Sequence, residues 1–248
     1  MNEIHFSISE NVILLAGIFI AIGSFIYEIR RRLWIVMKGI GSFSFYNIGR
    51  RLWRVFREVF LHERVIRDRF WPGLMHALVF WGFLVFGIIT INHFAIGFNY
   101  HLISHKYLQL YSYIVIPFSF LVLIGITSLA WRRFITKPIS LGKTSPTSGL
   151  VAIFIALLMI TYLIGEIHLS QAIWKVNWWA HSFLILAFLF LIPRSKHLHL
   201  VLGPFNIFFK SFSMPEHEPV KIDMDATEEE LDNMLTDLSK MTKKQVLD

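Results

Sequence analysis

The sequence predicts an all-α integral membrane protein. The expected architecture is a bundle of five transmembrane helices, N-terminus out and C-terminus in, with an amphipathic helix on the inner leaflet. Three observations predict it. The apolar residues fall in long blocks rather than short periodic stripes, and mean hydropathy is +0.55. Lys and Arg crowd alternate connecting segments. Trp and Tyr mark the block ends, as an aromatic belt requires.

A spanning helix needs about 20 mostly apolar residues. Five blocks meet or approach this: Val12–Ile29, Trp71–Phe98, Tyr107–Trp131, Gly149–Ile167 and Trp178–Ile192. The last is short unless it runs on past Pro193. A cleaved signal peptide is excluded for the first block, because Glu3 and Glu10 precede it without any Lys or Arg.

Charge sets the orientation. Between blocks one and two lie Arg30, Arg31, Arg32, Lys38, Arg50, Arg51, Arg54, Arg57, Arg64, Arg67 and Arg69. Arg132, Arg133, Lys137 and Lys143 follow block three, and Arg194 and Lys196 follow block five. The opposite segments hold only Lys106 and Lys175. The basic segments therefore face inward. The net charge of +7 follows from this topology, and nucleic-acid binding is not needed to account for it. Trp71 and Trp131 fall at inner ends; Tyr107, Trp174, Trp178 and Trp179 fall at outer ends.

Within the first basic segment, Phe45, Ile48, Leu52, Val55, Phe56 and Val59 recur at helical spacing among arginines. Phe43–Phe60 therefore reads as an amphipathic helix on the inner leaflet, or packed on a partner subunit. Residues 1–212 form the expected membrane domain, and 213–248 an acidic cytoplasmic tail. Thr227–Glu230 is a capping box there, followed by Leu231, Met234, Leu235 and Leu238 on one face. Thr242–Gln245 has the form of a second, so a further domain is expected to follow or to dock.

The 248 residues include 11 His and no Cys. That excludes a disulfide framework, a thiolate zinc site and an Fe–S cluster on this chain's own thiolates. It leaves imidazoles as the strong metal ligands. His76 lies near the inner end of block two and His93 near its outer end. His181 opens block five, and His199 lies at or beyond its inner end. Antiparallel helices would set His76 level with His199 and His93 level with His181. Two imidazole pairs at two depths are what bis-histidine haem ligation requires.

His181 and His199 are 18 residues apart. On a straight helix that is about five turns and roughly 27 Å, which puts both on one face. Pro193 lies between and kinks the helix, and His197 competes as the inner ligand. His101 and His105 fall in an outer loop. His5, His62 and His217 read as surface residues, and His168 sits beside Glu166. Arg69, Arg194 and Lys196 are placed for haem propionates or for inner-side anchoring. Gly73, Gly82, Gly87 and Gly125 suit close helix packing.

The stretch Phe70-Trp71-Pro72-Gly73-Leu74-Met75-His76-Ala77-Leu78-Val79-Phe80-Trp81-Gly82-Phe83 resembles the second spanning helix of a known group. The group is the membrane cytochrome b domains at the N-terminus of heterodisulfide-reductase-related Fe–S oxidoreductases. Trp179-Ala180-His181, Pro193-Arg194-Ser195-Lys196-His197-Leu198-His199 and Gly203-Pro204-Phe205-Asn206 resemble it too. These domains belong to the respiratory nitrate reductase gamma subunit family. The resemblance covers about residues 10–210. It implies a five-helix cytochrome with two haems b, or one, and with His76, His181 and His199 as axial ligands. His93 departs from the nitrate reductase pattern, whose second-helix histidines stand closer together.

The same resemblance implies a cytoplasmic Fe–S domain or subunit as partner, with electron-transfer flavoprotein upstream. It also implies a membrane quinone, menaquinone in some relatives, as substrate. The expected role is the electron-transfer part of a quinone-linked oxidoreductase in the cytoplasmic membrane. Glu166, His168, Lys106 and Lys175 are the outer-side candidates for quinone proton chemistry. The competing expectation is a haem-free membrane anchor or small transporter with a histidine-lined path.

Overall fold

The computed structural model describes residues 5–38, 45–142, 145–167 and 170–210. His168, His217, Lys143, Phe43 and both tail capping boxes lie outside these residues. Every regular element among the described residues is helical. In order they are α1 (Ile8–Met37), α2 (Ile48–Val55), α3 (Glu63–Asp68), α4 (Phe70–Gly97), α5 (His105–Trp131), α6 (Pro146–Gly165), α7 (Gln171–Leu191) and α8 (His199–Phe209). Five helical segments, containing α1, α4, α5, α6 and α7, are long and apolar enough to cross a membrane. Large apolar side chains such as Ile8, Phe19, Ile91, Tyr113 and Phe183 stand exposed along them. A surface of this kind suits lipid rather than water, and the chain is a multi-pass membrane protein.

The chain divides into two units. The first comprises residues 1–21 and 64–189, and the second 22–63 and 190–248. In the first, α4, α5 and α6 close around Phe86, Val115, Val122, Leu158, Met159 and Tyr162. Small residues make this approach possible. A Cβ at Gly82 would stand 2.1 Å from Val122 Cγ2, and one at Gly125 would stand 2.9 Å from the Met75 carbonyl. Helices in lipid gain contact area in just this way. Gly87 faces open space instead, so close packing explains only part of the expected glycine set. A second cluster joins Phe6, Leu14 and Trp178.

The start of α1 is fixed by a capping box. Ser7 N donates to Glu10 Oε2 at 2.8 Å, and Glu10 N donates to Ser7 Oγ at 3.3 Å. Glu10 also pairs with Lys175 of α7 at 2.8 Å. The segment before α1 is clamped by Asn99, whose side chain bonds both Phe6 N (2.8 Å) and Phe6 O (2.9 Å).

The second unit differs from expectation in two places. The Phe43–Phe60 amphipathic helix is shorter where described: α2 ends at Val55 and a π-helical turn, Phe56–Phe60, follows. Arg51 does not serve as an exposed basic anchor. It is 4% exposed and donates to the carbonyls of Tyr46 (2.8 Å), Phe208 (2.7 Å) and Lys210 (3.3 Å). The Phe208 and Lys210 carbonyls lie at the end of α8, where helix termini leave carbonyls without helical partners, and a guanidinium fork satisfies several acceptors at once.

The fifth span also ends differently. Pro193 does not kink a continuing α-helix. The α-helix stops at Leu191, two short 3-10 turns follow (Ile192–Arg194 and Lys196–Leu198), and α8 begins at His199. The missing proline N–H and its ring explain the break. The five-turn phase relation between His181 and His199 therefore does not apply.

Candidate functional site

His93 and His181 are brought together. Their ring centroids lie 5.0 Å apart at an interplanar angle of 69°. α4 supplies the first and α7 the second. His181 is buried, and its Nδ1 lies 2.6 Å from Thr161 Oγ1. The same hydroxyl donates to the Leu157 carbonyl at 2.7 Å, the usual resting place for a threonine hydroxyl inside a helix. Asn177 Nδ2 bonds the Thr161 carbonyl at 2.9 Å, tying α7 to α6 beside the site. His93 Nε2 lies 2.8 Å from Ser182 Oγ.

Trp178 stacks on His93, with centroids 4.7 Å apart and planes 15° from parallel. The indole is buried rather than interfacial, which corrects its place in the expected outer belt. Phe6 covers it at 4.4 Å. Gly97 makes room for it, since a Cβ there would stand 2.5 Å from both Trp178 Cη2 and Leu14 Cδ2.

The donor set fits a haem iron. Two imidazoles approach from two helices inside the span. Metal–nitrogen bonds of about 2 Å would put the ring centres roughly 6 Å apart, slightly wider than observed. His181 suits the task as it stands. Its Nδ1 is engaged by Thr161, which leaves Nε2 for a metal and fixes the ring's orientation. His93 would exchange its Ser182 bond for the metal.

The remaining predicted residues fall elsewhere. His76 is half-buried on α4, in the first unit, whereas His199 is exposed at the start of α8, in the second. His199 Nδ1 lies 2.7 Å from the Lys196 carbonyl. The ring centroids of His197 and His199 are 5.9 Å apart. Burial, with the charge of His199 adding to it, holds His197 down at about 4. His62 corrects the surface expectation: it is 5% exposed, and burial lowers its pKa, with a smaller lowering from His199.

Arg194 is engaged by Glu28, at 3.2 Å, and by Ser24 Oγ, at 2.7 Å. Arg69 precedes α4 and is exposed, as is Lys196. Glu166 is exposed at the end of α6, and Lys106 in the first turn of α5. The hydrogen bonds of His93 and His181 go to Ser182 and Thr161, not to them. His105 opens α5 instead of lying in a loop.

Sequence reasoning missed Thr161, Ser182, Trp178, Glu28 and the Phe6–Asn99 clamp. The Ser7-x-x-Glu10 capping box was the one readable signal among the neighbouring features.

Two curated proteins are similar to this chain. One is the "Probable iron-sulfur-binding oxidoreductase FadF" of Bacillus subtilis (strain 168). It is 29% identical over 237 residues, covering 82% of this chain and 33% of that protein. The other is the "EtfAB:quinone oxidoreductase" of Syntrophomonas wolfei, 26% identical over 234 residues, covering 77% of this chain and 32% of that protein. The chain thus spans about a third of the length of both relatives. No family model matches the chain. No solved structure matches it either.

Proposed function

We propose that this chain is a haem b membrane domain. It passes electrons between a cytoplasmic iron–sulfur partner and quinone in the cytoplasmic membrane. The observation that carries the reading is the facing pair His93 and His181, one from each of two apolar spans. The names of the two relatives support the iron–sulfur and quinone ends of the path, and the second brings electron-transfer flavoprotein into view as the upstream donor.

A bound haem would supply a one-electron carrier within the membrane. The protein's own residues do the rest. His93 and His181 hold the iron. Thr161 keeps His181 in one orientation. Trp178 and Phe6 keep water from the ring pair. Glu166, Lys106 and His168 supply candidate polar groups for quinone on the outer side, and menaquinone is the expected quinone. His76 and His199 are assigned to a second haem on the sequence argument of matched depth, with Arg69, Lys196 and Arg194 near its propionates. Arg194 would then bring Glu28 with it.

The test is quinol-driven reduction. Purified protein, in detergent and oxidised, is mixed with a reduced naphthoquinone analogue. A sharp α-band should appear and be abolished by a quinone-site inhibitor. A haem-containing sample that dithionite reduces but quinol does not would overturn the quinone assignment. A folded sample without visible absorption would favour the haem-free anchor.

A further inference from the structure

The two imidazoles of the facing pair are held by unlike means. His181 has a hydroxyl on Nδ1, from Thr161 at 2.6 Å. His93 has Ser182 on Nε2 at 2.8 Å, and that is the nitrogen a metal would take. The contact that then sets the plane of His93 is the Trp178 stack, at 4.7 Å and 15°. Metal-binding imidazoles depend on such neighbours for their orientation.

The indole is held without a hydrogen bond from its side chain. Trp178 is 2% exposed, and its Nε1 has no hydrogen-bond partner among the described residues. A buried indole N–H ordinarily finds an acceptor. Its placement therefore depends on what covers it. Phe6 packs on it at 4.4 Å, and Phe6 is gripped at both N (2.8 Å) and O (2.9 Å) by the Asn99 amide. Asn99 stands just past α4 with φ 57°, and its N donates to the Ile96 carbonyl at 2.8 Å. This is the left-handed position that closes a helix, and glycine would serve it as well. What asparagine adds is the amide. All of these residues belong to the first unit.

We propose that Asn99 is a positioning residue of the outer haem site, clamping Phe6 onto Trp178 so that the stack holds His93 in one ring plane. The inference rests on the reading of His93 and His181 as axial ligands. The amide of Asn99 bonds Phe6, so its effect reaches the ligand through Phe6 and Trp178.

The test uses the full chain with haem and follows the signal that His93→Ala removes. Asn99→Gly suits the backbone and removes the amide. It should keep the outer haem and shift the largest g-value of its low-spin EPR signal, which reads the angle between the two ligand planes. Its midpoint potential should fall, because a looser cover admits water. Asn99→Asp keeps an acceptor for the Phe6 N–H and should retain part of the parent signal. Phe6→Ala should reproduce the shift, and the double variant should shift no further. An unchanged EPR signal and potential in folded Asn99→Gly would overturn the inference. So would a lower unfolding temperature as the sole effect, or a double variant in which the two shifts add. If Asn99→Gly does not fold, Phe6→Ala decides, and an unchanged outer signal there overturns it. A haem content undiminished by His93→Ala would instead refute the reading beneath it.

Discussion

The two histidine regions are built by different means. His93 and His181 sit inside spans, and everything that fixes them is helix packing or a short side-chain bond: Thr161, Ser182 and the stacked Trp178. His197 and His199 sit on a break in the chain. Their surroundings are fixed by turns: the Pro193 stop, the Ser195 hydroxyl 3.2 Å from His197 Nδ1, and the Lys196 carbonyl 2.7 Å from His199 Nδ1. In a membrane span the backbone is already satisfied by helix formation, so side chains alone tune a site. Where the helix stops, freed backbone groups and turn side chains take over.

The sharpest way to break this contrast is to remove a ligand from the first region only. His93→Ala should abolish one haem and spare the other. Loss of both would mean that the regions are not independent. Overpacking comes next. Gly97→Leu should push Trp178 off His93 and lower stability by about 3 kcal/mol, the upper end for an overpacked core. Thermal unfolding in detergent measures it.

Arg51→Ala acts in the second unit. It removes the Arg51 bonds to the carbonyls of Tyr46 and Phe208, while the Lys210 carbonyl keeps Arg54 as a donor. The expected loss is about 2 kcal/mol, read as earlier protease cleavage after α8. The smallest effect is reserved for Thr161→Val. It should keep the haem, lower stability by about 1 kcal/mol, and shift the potential of the His93–His181 haem alone.

How much was legible in the sequence follows the same division. All five spans were readable, because long apolar blocks leave few alternatives to a helix, although the fifth starts at Gln171, earlier than its apolar block. The His93–His181 pairing was readable from depth on antiparallel helices. Its supports were not. Thr161 and Ser182 are ordinary membrane-helix residues until a neighbouring ring selects them. Trp178 looked interfacial because an indole near a span end usually is. The second region was read least well. A straight helix through Pro193 gave a phase relation that the proline itself cancels. Arg51 looked like one more basic residue in a run of them, and only the fold shows which arginine turns inward. His62 carried no local pattern that marks it as buried.

The central claim is that His93 and His181 hold a haem. It is tested most directly by haem-to-protein stoichiometry on purified wild type and His181→Ala side by side. The account predicts about two haems per chain in the wild type and about one in the variant, with the remaining spectrum that of a bis-histidine low-spin b haem. A folded wild type without haem, or a variant with an undiminished ratio, would contradict it.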